Sequence, residues 1–228
     1  GRFNPRAAHL SALGRVHAQF ALGFAHLRKG DLERAVPQFE RGLDLARTKA
    51  VSFLDPLMCA AVGSAYAMSG RLADGLPLLE LGVGGAIRMG HPGFVSWLQG
   101  WLAEGYLLVE RRADAIATAM QSLDISRRTR RRGNEAHVLR VLGDIAASAQ
   151  PPQIEEAEGH YRASLALAVE RGMRPLVARC HHGLGSLYRR TGESVEARAH
   201  LTSAASMYRE MEMRSWLQKA ERELGELG

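Results

Sequence analysis

The sequence predicts an all-α fold: a right-handed solenoid of five helical hairpins with a period of about 40 residues, closed by a C-terminal capping helix. Two observations predict it. Ala, Leu, Arg and Glu dominate the chain and runs of β-branched residues are rare, which favours helices. A pattern of small and bulky residues also recurs at a fixed step. One hairpin cannot bury its own apolar face, so a recurring hairpin indicates a stacked array.

The pattern is clearest between His181 and Met211, where two amphipathic segments flank a glycine-containing turn. Small residues at Gly185 and Ala197 allow two helix backbones to approach each other. Tyr188 and Leu201 supply the bulk that fills the seam between them. The segment therefore predicts two antiparallel helices packed closely together.

Four earlier segments repeat this register. The small position of the first helix recurs in steps of 40, 40, 40 and 42 residues, at Gly23, Gly63, Ala103, Gly143 and Gly185. The residues three positions later are His26, Tyr66, Tyr106, Ala146 and Tyr188. The small residues that open the second helices are Ala35, Gly75, Ala115, Ala157 and Ala197. From each of these to the next first-helix position is always 28 residues. The two extra residues of the longest step must therefore fall in one turn, around Gln150–Pro152.

We expect a single domain over residues 1–228. Its predicted repeats are 6–49, 50–90, 91–131, 132–172 and 173–211, followed by a capping helix at 213–227. The predicted helices are 5–29, 31–48, 51–69, 72–89, 93–109, 112–129, 134–148, 154–170, 175–190, 194–210 and 214–227. Gly30 and Asp31 carry the end and start signals of the first turn. Trp216, Leu217, Ala220 and Leu224 give the last helix an apolar face that can seal the final repeat.

Two predicted second helices contain an internal proline, Pro37 and Pro77, and each should lose one backbone hydrogen bond and bend there. The helix over 72–89 also contains four glycines, Gly75, Gly82, Gly84 and Gly85. Each interior glycine costs about 1 kcal/mol relative to alanine. This helix is therefore predicted to be the least stable of the array.

Composition and charge exclude several classes of protein. No apolar run reaches the roughly 18 residues of a membrane-spanning helix, so no membrane association is expected. The formal charge of +6 is mild and spread over many helices, which does not indicate nucleic-acid binding. Cys59 and Cys180 are expected to be buried, reduced thiols in a cytoplasmic protein. The chain begins without Met or a signal peptide pattern, and we interpret it as a piece of a longer protein.

The sequence contains no recognisable catalytic set, so no enzyme activity, cofactor or metal is expected for this chain. Gly82-Val83-Gly84-Gly85 resembles part of a dinucleotide loop, but the register places it inside a helix. His181 and His182 are adjacent, and neighbouring helical residues point about 100° apart, so they cannot chelate a metal together. The arginine run 127–132 is predicted to be a solvated turn; the alternative is contact with an acidic partner surface or nucleic acid.

The first helices of stacked hairpins line a concave groove, and one face of each predicted first helix should point into it. This groove is the predicted partner-binding site, apolar at its N-terminal end and charged in its C-terminal half. Such a gradient suits an extended peptide or helix with one apolar and one charged end; the alternative is that these residues form solvated helix faces. The predicted site residues are Phe20, Phe24, Arg28, Ser64, Met68, Glu104, Arg140, Asp144, His182, Ser186, Arg189 and Arg190.

The hairpins resemble tetratricopeptide repeats over nearly the whole chain, on the Gly/Tyr/Ala register and the turns described above. The narrower segments 132–144, 163–176, 185–188 and 204–213 resemble the C-terminal repeat region of bacterial proteins that join a class III adenylate/guanylate cyclase to an AAA-type signalling ATPase. Related repeats occur in ATPase-linked transcription activators. The metal-binding aspartates of the cyclase and the phosphate loop of the ATPase have no counterpart in this sequence.

The resemblance implies a non-catalytic interaction or sensory module that regulates an attached ATPase or cyclase in bacterial signal transduction. Its expected partner is a protein or peptide, including the ATPase or cyclase domains of the same chain, or a small effector. The alternative is the inducer-sensing repeat domain of an ATPase-linked transcription activator. Any enzyme activity would then belong to a domain outside this sequence.

Overall fold

The computed structural model describes the backbone of residues 5–48 and 51–227, and the side chains from residue 11 onwards in those ranges. Within them all regular structure is helical, which confirms the all-α prediction. The helices are α1 (Pro5–Lys29), α2 (Leu32–Thr48), α3 (Asp55–Met68), α4 (Leu72–Arg88), α5 (Pro92–Leu108), α6 (Arg112–Arg128), α7 (Arg132–Ala147), α8 (Ile154–Glu170), α9 (Arg174–Thr191), α10 (Ser194–Glu210) and α11 (Arg214–Gly225). The predicted boundary between the first two repeats, at 49 and 50, lies outside the described residues.

The helices group into two compact units that divide between Glu110 and Arg111. Unit 1 contains α1 to α5 and unit 2 contains α6 to α11. The division separates α5 from α6, which the sequence register assigns to one hairpin. The assignment of the whole chain to a single domain therefore stays a prediction.

Each unit is built from antiparallel hairpins with adjacent first helices. In unit 1, α1 packs on α2 and α3 packs on α4, while α3 also contacts α1 and α5. In unit 2, α7 packs on α8, α9 packs on α10, and α7 contacts α9. The first helices of successive repeats therefore lie side by side in each unit and present one common face.

The recurring small position lies at the seam of each hairpin. A Cβ atom added to Gly23 would lie 2.6 Å from the ring of Phe39, and one added to Gly143 would lie 2.7 Å from the ring of Tyr161. In the last hairpin, a Cβ on Gly185 would lie 2.6 Å from Leu201. Each bulky partner sits four residues after the small residue that opens the second helix. The predicted close approach of the helices is confirmed.

Most turns between the described helices contain one residue with positive φ. Glycine occupies this position at Gly30, Gly70, Gly90, Gly172 and Gly192, whereas Glu110, Arg130 and Glu212 occupy it elsewhere. At the first turn, Asp31 N–H donates to the His26 carbonyl over 2.9 Å, and the Asp31 carboxylate accepts from the Arg34 N–H. The predicted end and start signals of this turn are confirmed. The turn between α7 and α8 has six residues, 148–153, and contains the predicted insertion.

Tyrosines of the recurring register connect neighbouring repeats. The Tyr66 hydroxyl donates to Glu40 over 2.5 Å, the Tyr106 hydroxyl to Glu80 over 3.0 Å, and the Tyr188 hydroxyl to Glu158 over 2.6 Å. Each bond joins a first helix to the second helix of the preceding repeat. Where the tyrosine is replaced by Ala146, the residue at the register of Glu40 and Glu80 is Met120.

One predicted helix start differs from the structure by four residues, while the other predicted boundaries differ by two residues at most. The sequence predicts a helix from residue 51, but Ser52–Leu54 forms a 3-10 turn and α3 begins at Asp55. Pro56 causes the difference, because proline fits the first turn of an α-helix but clashes with the carbonyl four residues earlier. Pro37 and Pro77 lie inside continuous helices, α2 and α4.

Candidate partner-binding faces on the first helices

The predicted groove residues lie on the first helices of both units: on α1, α3 and α5 in unit 1, and on α7 and α9 in unit 2. We call these two surfaces the unit 1 face and the unit 2 face. Side chains of the chain itself contact many of the predicted residues. Whether a partner binds there stays a prediction.

The unit 1 face carries an aromatic cluster. Phe20 and Phe24, one turn apart on α1, stack with ring centroids 5.6 Å apart. Both meet Trp97 of α5 edge to face, at 5.8 and 5.9 Å, and Phe24 also stacks on Trp101 at 5.9 Å. Aromatic pairs at these distances contribute about 0.5–1.5 kcal/mol beyond their buried area. The predicted apolar end of the groove is thus lined by aromatic rings that pack on one another.

Sequence reasoning did not select Trp97 and Trp101, because they lie outside the register positions assigned to the groove. Their spacing of four residues matches that of Phe20 and Phe24, and two such i,i+4 aromatic pairs indicate two aromatic helix stripes. Nothing in a single sequence shows that the stripes meet.

The other predicted residues of the unit 1 face surround this cluster. The Arg28 guanidinium lies 5.1 Å from the ring centroid of Phe24, a cation–π geometry. Ser64 of α3 is buried, whereas Met68 and Glu104 are partly exposed. Arg28, Met68 and Glu104 therefore contribute the accessible polar and flexible groups of this face.

The unit 2 face is built around a buried ion pair. Arg140, only 1% exposed, pairs with Asp144 one turn later on α7. The other carboxylate oxygen of Asp144 accepts a hydrogen bond of 2.7 Å from the Tyr161 hydroxyl of α8. Burial, together with the charge of Asp144, raises the pKa of Tyr161 well above its ordinary value, so the phenol stays protonated and donates. Arg140 and Asp144 are therefore part of the hairpin core as well as of the predicted groove.

Helix α11 covers the C-terminal part of the unit 2 face. Glu223 of α11 accepts hydrogen bonds from Ser186 at 2.6 Å and Arg189 at 3.4 Å, and its other oxygen lies 3.0 Å from His182 Nε2. Burial alone raises the pKa of Glu223, but the hydrogen bonds from His182 and Ser186 and the charge of Arg189 outweigh it and lower the pKa to about 2. The two oxygens of the Glu223 carboxylate thus contact three predicted site residues.

The sequence predicted α11 as an apolar cap but did not identify Glu223. Tyr208, Ala220 and Met213 form a buried cluster with Trp216 and Leu217 packed against it, which agrees with the predicted sealing of the last repeat. The role of Glu223 depends on how α11 is rotated against α9, and helical periodicity does not give that angle. Arg190, the last predicted site residue, is exposed and donates to the Ala147 carbonyl over 2.6 Å.

The adjacent histidines have separate surroundings, as predicted. His182 is buried, with Nδ1 3.3 Å from the Tyr208 hydroxyl. His181 is partly buried, and its Nδ1 lies 2.9 Å from Nδ1 of His200 on α10. Burial, and then the charge of His200, lowers the pKa of His181, and burial likewise lowers the pKa of His200. In the described residues no three His, Cys, Asp or Glu side chains are grouped as metal ligands.

Both cysteines are buried and unpaired. Burial raises the pKa of each thiol to about 11, so neither is a thiolate at neutral pH. The described helices include none that is both long and apolar enough to cross a membrane.

Two segments match family models described as "Tetratricopeptide repeat": residues 153–210, which contain the α8–α10 region, and residues 16–49. These two segments are similar to tetratricopeptide repeats, and each covers less than half of the chain. Among curated proteins, none matches the sequence significantly.

Several solved structures share the fold at low sequence identity. BtubC (BKLC) from P. vanneervenii aligns with a TM-score of 0.57 and 16% identity, covering 92% of this chain and 93% of that one. A Signal Transduction ATPase with Numerous Domains (STAND) protein from Pyrococcus horikoshii, which has a tetratricopeptide repeat sensor, aligns with a TM-score of 0.63 and 16% identity. The alignment covers 96% of this chain but 34% of that protein. Nearly identical TPR-like repeats from Podosopora anserina align with a TM-score of 0.52 and 18% identity over 88% and 96% of the two chains.

Proposed function

We propose that this chain is a non-catalytic protein-interaction or sensory module that regulates an attached signalling ATPase or nucleotide cyclase. The observation that carries the proposal is the likeness to the Pyrococcus horikoshii ATPase, which has a tetratricopeptide repeat sensor. The alignment covers 96% of this chain but only 34% of that protein. At 16% identity the likeness shows the fold alone, so the sensory role and the attached ATPase are the proposed part.

The structure directs the proposal to particular residues. Within the predicted set, Ser64, Arg140 and His182 are buried, so a partner cannot reach them without rearrangement. Arg190 is exposed, and Arg28 and Met68 are partly exposed. A partner would therefore contact the accessible residues, while the buried ones hold the faces in shape. The long arginine and methionine side chains can adapt to a bound peptide.

A binding experiment tests the proposal. It uses the proposed ATPase domain of the full-length protein, expressed as a separate chain. We expect this chain to hydrolyse no ATP, to bind that domain, and to change its rate of ATP hydrolysis. Arg190→Glu should weaken binding at least fivefold because it reverses an exposed charge at the face. Arg198→Glu, on the second helix of the same hairpin, is the matched control and should leave binding within twofold.

Charge reversal at Arg140 is a poor test, since this buried residue supports the fold. No binding of the ATPase domain, or equal weakening by Arg190→Glu and Arg198→Glu, would contradict the proposal. Arg28→Glu tests the unit 1 face in the same assay.

The tetratricopeptide repeat sensor of the Pyrococcus horikoshii protein also supports a second candidate, an inducer-sensing domain of an ATPase-linked transcription activator. The coding sequence that flanks this segment separates the two. A cyclase domain beside the ATPase supports the first candidate, and a helix-turn-helix domain supports the second.

A further inference from the structure

The arginine run between α6 and α7 forms one side of a pocket in unit 2. The pocket has a volume of about 550 Å³ and is lined by Arg127, Arg130, Arg132, Glu135 and Arg171. It draws on the end of α6, the turn after it, the start of α7, and the residue that follows α8. Two separate stretches of the chain, residues 127–135 and Arg171, thus bring four guanidinium groups to one place.

Glu135 holds two of these arginines in position. It is 6% exposed, and its two oxygens each lie 3.1 Å from a guanidinium nitrogen, one from Arg127 Nε and the other from Arg132 NH1. A buried carboxylate that uses both oxygens in this way fixes the positions of its partners, which reduces the entropy that they lose on binding an anion. Arg127 and Arg132 are therefore held at the pocket in advance of any ligand.

The other two arginines remain available to a ligand. Arg130 occupies the positive-φ position of the turn, with φ of 54°, a conformation that costs a non-glycine residue about 1 kcal/mol. Its guanidinium has no ion pair or hydrogen bond with the side chains described in 11–48 and 51–227. Arg171 lies 3.5 Å from exposed Glu170, which also approaches Arg132 at 3.7 Å. Four arginines thus face two glutamates, and the pocket has an excess of two positive charges.

This chemistry fits a doubly charged phosphate ester. Guanidinium groups donate pairs of parallel hydrogen bonds to phosphate oxygens, and clustered arginines are a general mode of phosphopeptide recognition. The volume exceeds that of one phosphate group and lies within the range of ligand pockets, so it accommodates neighbouring residues as well. Aromatic residues, on which nucleobases stack, are missing from the pocket lining within the described part of the chain.

We propose that this pocket binds a phosphorylated serine, threonine or tyrosine side chain on a partner protein. Arg127 and Arg132, held by Glu135, form a fixed base, and Arg130 and Arg171 close on the phosphate from the rim. This site is separate from the unit 2 face. The phosphate-binding proposal can therefore be contradicted without contradicting the proposed regulatory role, and the reverse.

The proposal is tested with a fluorescent peptide of glycine and serine that contains a central phosphoserine. Its binding to the full chain is measured by fluorescence anisotropy at physiological salt. We expect saturable binding, with at least tenfold loss when the peptide lacks the phosphate and competition by pyrophosphate. Arg130→Ala and Arg171→Ala should each weaken binding about tenfold, since each removes a charge-assisted contact.

Arg128→Ala is the matched control. Arg128 belongs to the same run but pairs with Asp124 at 3.1 Å and is not a lining residue, so its loss should change affinity by less than twofold. Equal losses for Arg128→Ala and Arg130→Ala would overturn the proposal, because they would indicate diffuse attraction between charges. Equal binding of the unphosphorylated peptide, or tighter binding of a single-stranded oligonucleotide of similar charge, would overturn it as well. Thermal unfolding confirms that each variant is folded.

Discussion

The two units place different chemistry at the same register of their first helices. Phe20 and Phe24 in unit 1 correspond to Arg140 and Asp144 in unit 2. The phenylalanines join an aromatic cluster with Trp97 and Trp101. Arg140 and Asp144 instead form an ion pair, and Asp144 also accepts a hydrogen bond from Tyr161. The repeat therefore fixes where a side chain points but leaves its chemistry open. A face of one scaffold can therefore be held by apolar packing in one unit and by polar pairing in the other.

The largest effect on stability is expected in the aromatic cluster of unit 1. Trp101→Ala should lower the free energy of unfolding by about 3–5 kcal/mol, because Trp101 is 2% exposed and its loss leaves a cavity beside Phe24 and Trp97. Urea denaturation measures the change. Trp97→Ala, which removes a partly exposed ring of the same cluster, should cost less. If the two variants were equally mild, the cluster would not stabilise unit 1.

The next prediction concerns the buried ion pair of unit 2. Arg140→Met should cost about 2–3 kcal/mol, since it leaves Asp144 without its cation; the cost stays below that of a fully buried pair because the Asp144 side chain is 28% exposed and water can solvate it. Urea denaturation again measures it. Arg128→Met removes an exposed pair with Asp124 and should cost under about 0.5 kcal/mol. Equal costs would mean that burial does not distinguish the two pairs.

The link between α11 and α9 should depend on pH. The pKa of Glu223 is about 2, below the ordinary 4.5, so the folded state favours the carboxylate. Its contribution to stability is complete above pH 4.5 and is lost as the pH falls towards 2. Glu223→Gln should therefore be less stable than the wild type by about 2 kcal/mol at pH 7, and the difference should shrink between pH 4.5 and 2.

Comparing the variant with the wild type at each pH removes the contribution of other groups. His181 and His200, whose pKa values are lowered in the folded chain, reduce stability in both proteins below pH 6.5. Glu226→Gln is the control: Glu226 pairs with Arg189 at 2.8 Å but is about half exposed, so its loss should cost little. A constant difference between Glu223→Gln and wild type down to pH 2 would contradict the assigned role of Glu223.

Register arguments from the sequence predicted the hairpin seams. Gly23, Gly143 and Gly185 lie against bulky residues of the second helix, because a fixed step along a helix fixes the direction of a side chain. The same argument could not find the contact between Phe24 and Trp101, which are 77 residues apart, or that between His182 and Glu223. Both contacts depend on the angles between packed helices, and a single sequence does not give those angles.

The glycines of α4 also differ in a way that the sequence does not reveal. Helix propensity alone treats them as equivalent, but their packing contacts differ. A Cβ on Gly82 would lie 2.6 Å from the Pro56 carbonyl oxygen, and one on Gly75 would lie 2.7 Å from the Gly63 carbonyl oxygen. Both glycines permit close backbone contact between α3 and α4. At Gly84 the nearest atom is the guanidinium of Arg88, at 3.5 Å, so this glycine has no comparable packing role.

The smallest effect is expected at Gly84, because no packing neighbour lies close to it. The same position in unit 2 provides the comparison. Unit 2 has Ala166 at the register of Gly84. Gly84→Ala should raise the free energy of unfolding by about 0.5–1 kcal/mol, because alanine loses less backbone entropy in a helix and meets no close atom. Gly82→Ala, two residues away with the same chemical change, should be destabilising because its Cβ must displace the backbone of α3. Thermal and urea unfolding of both variants check the sign. Destabilisation by both would mean that Gly84 also serves packing, which would contradict the prediction.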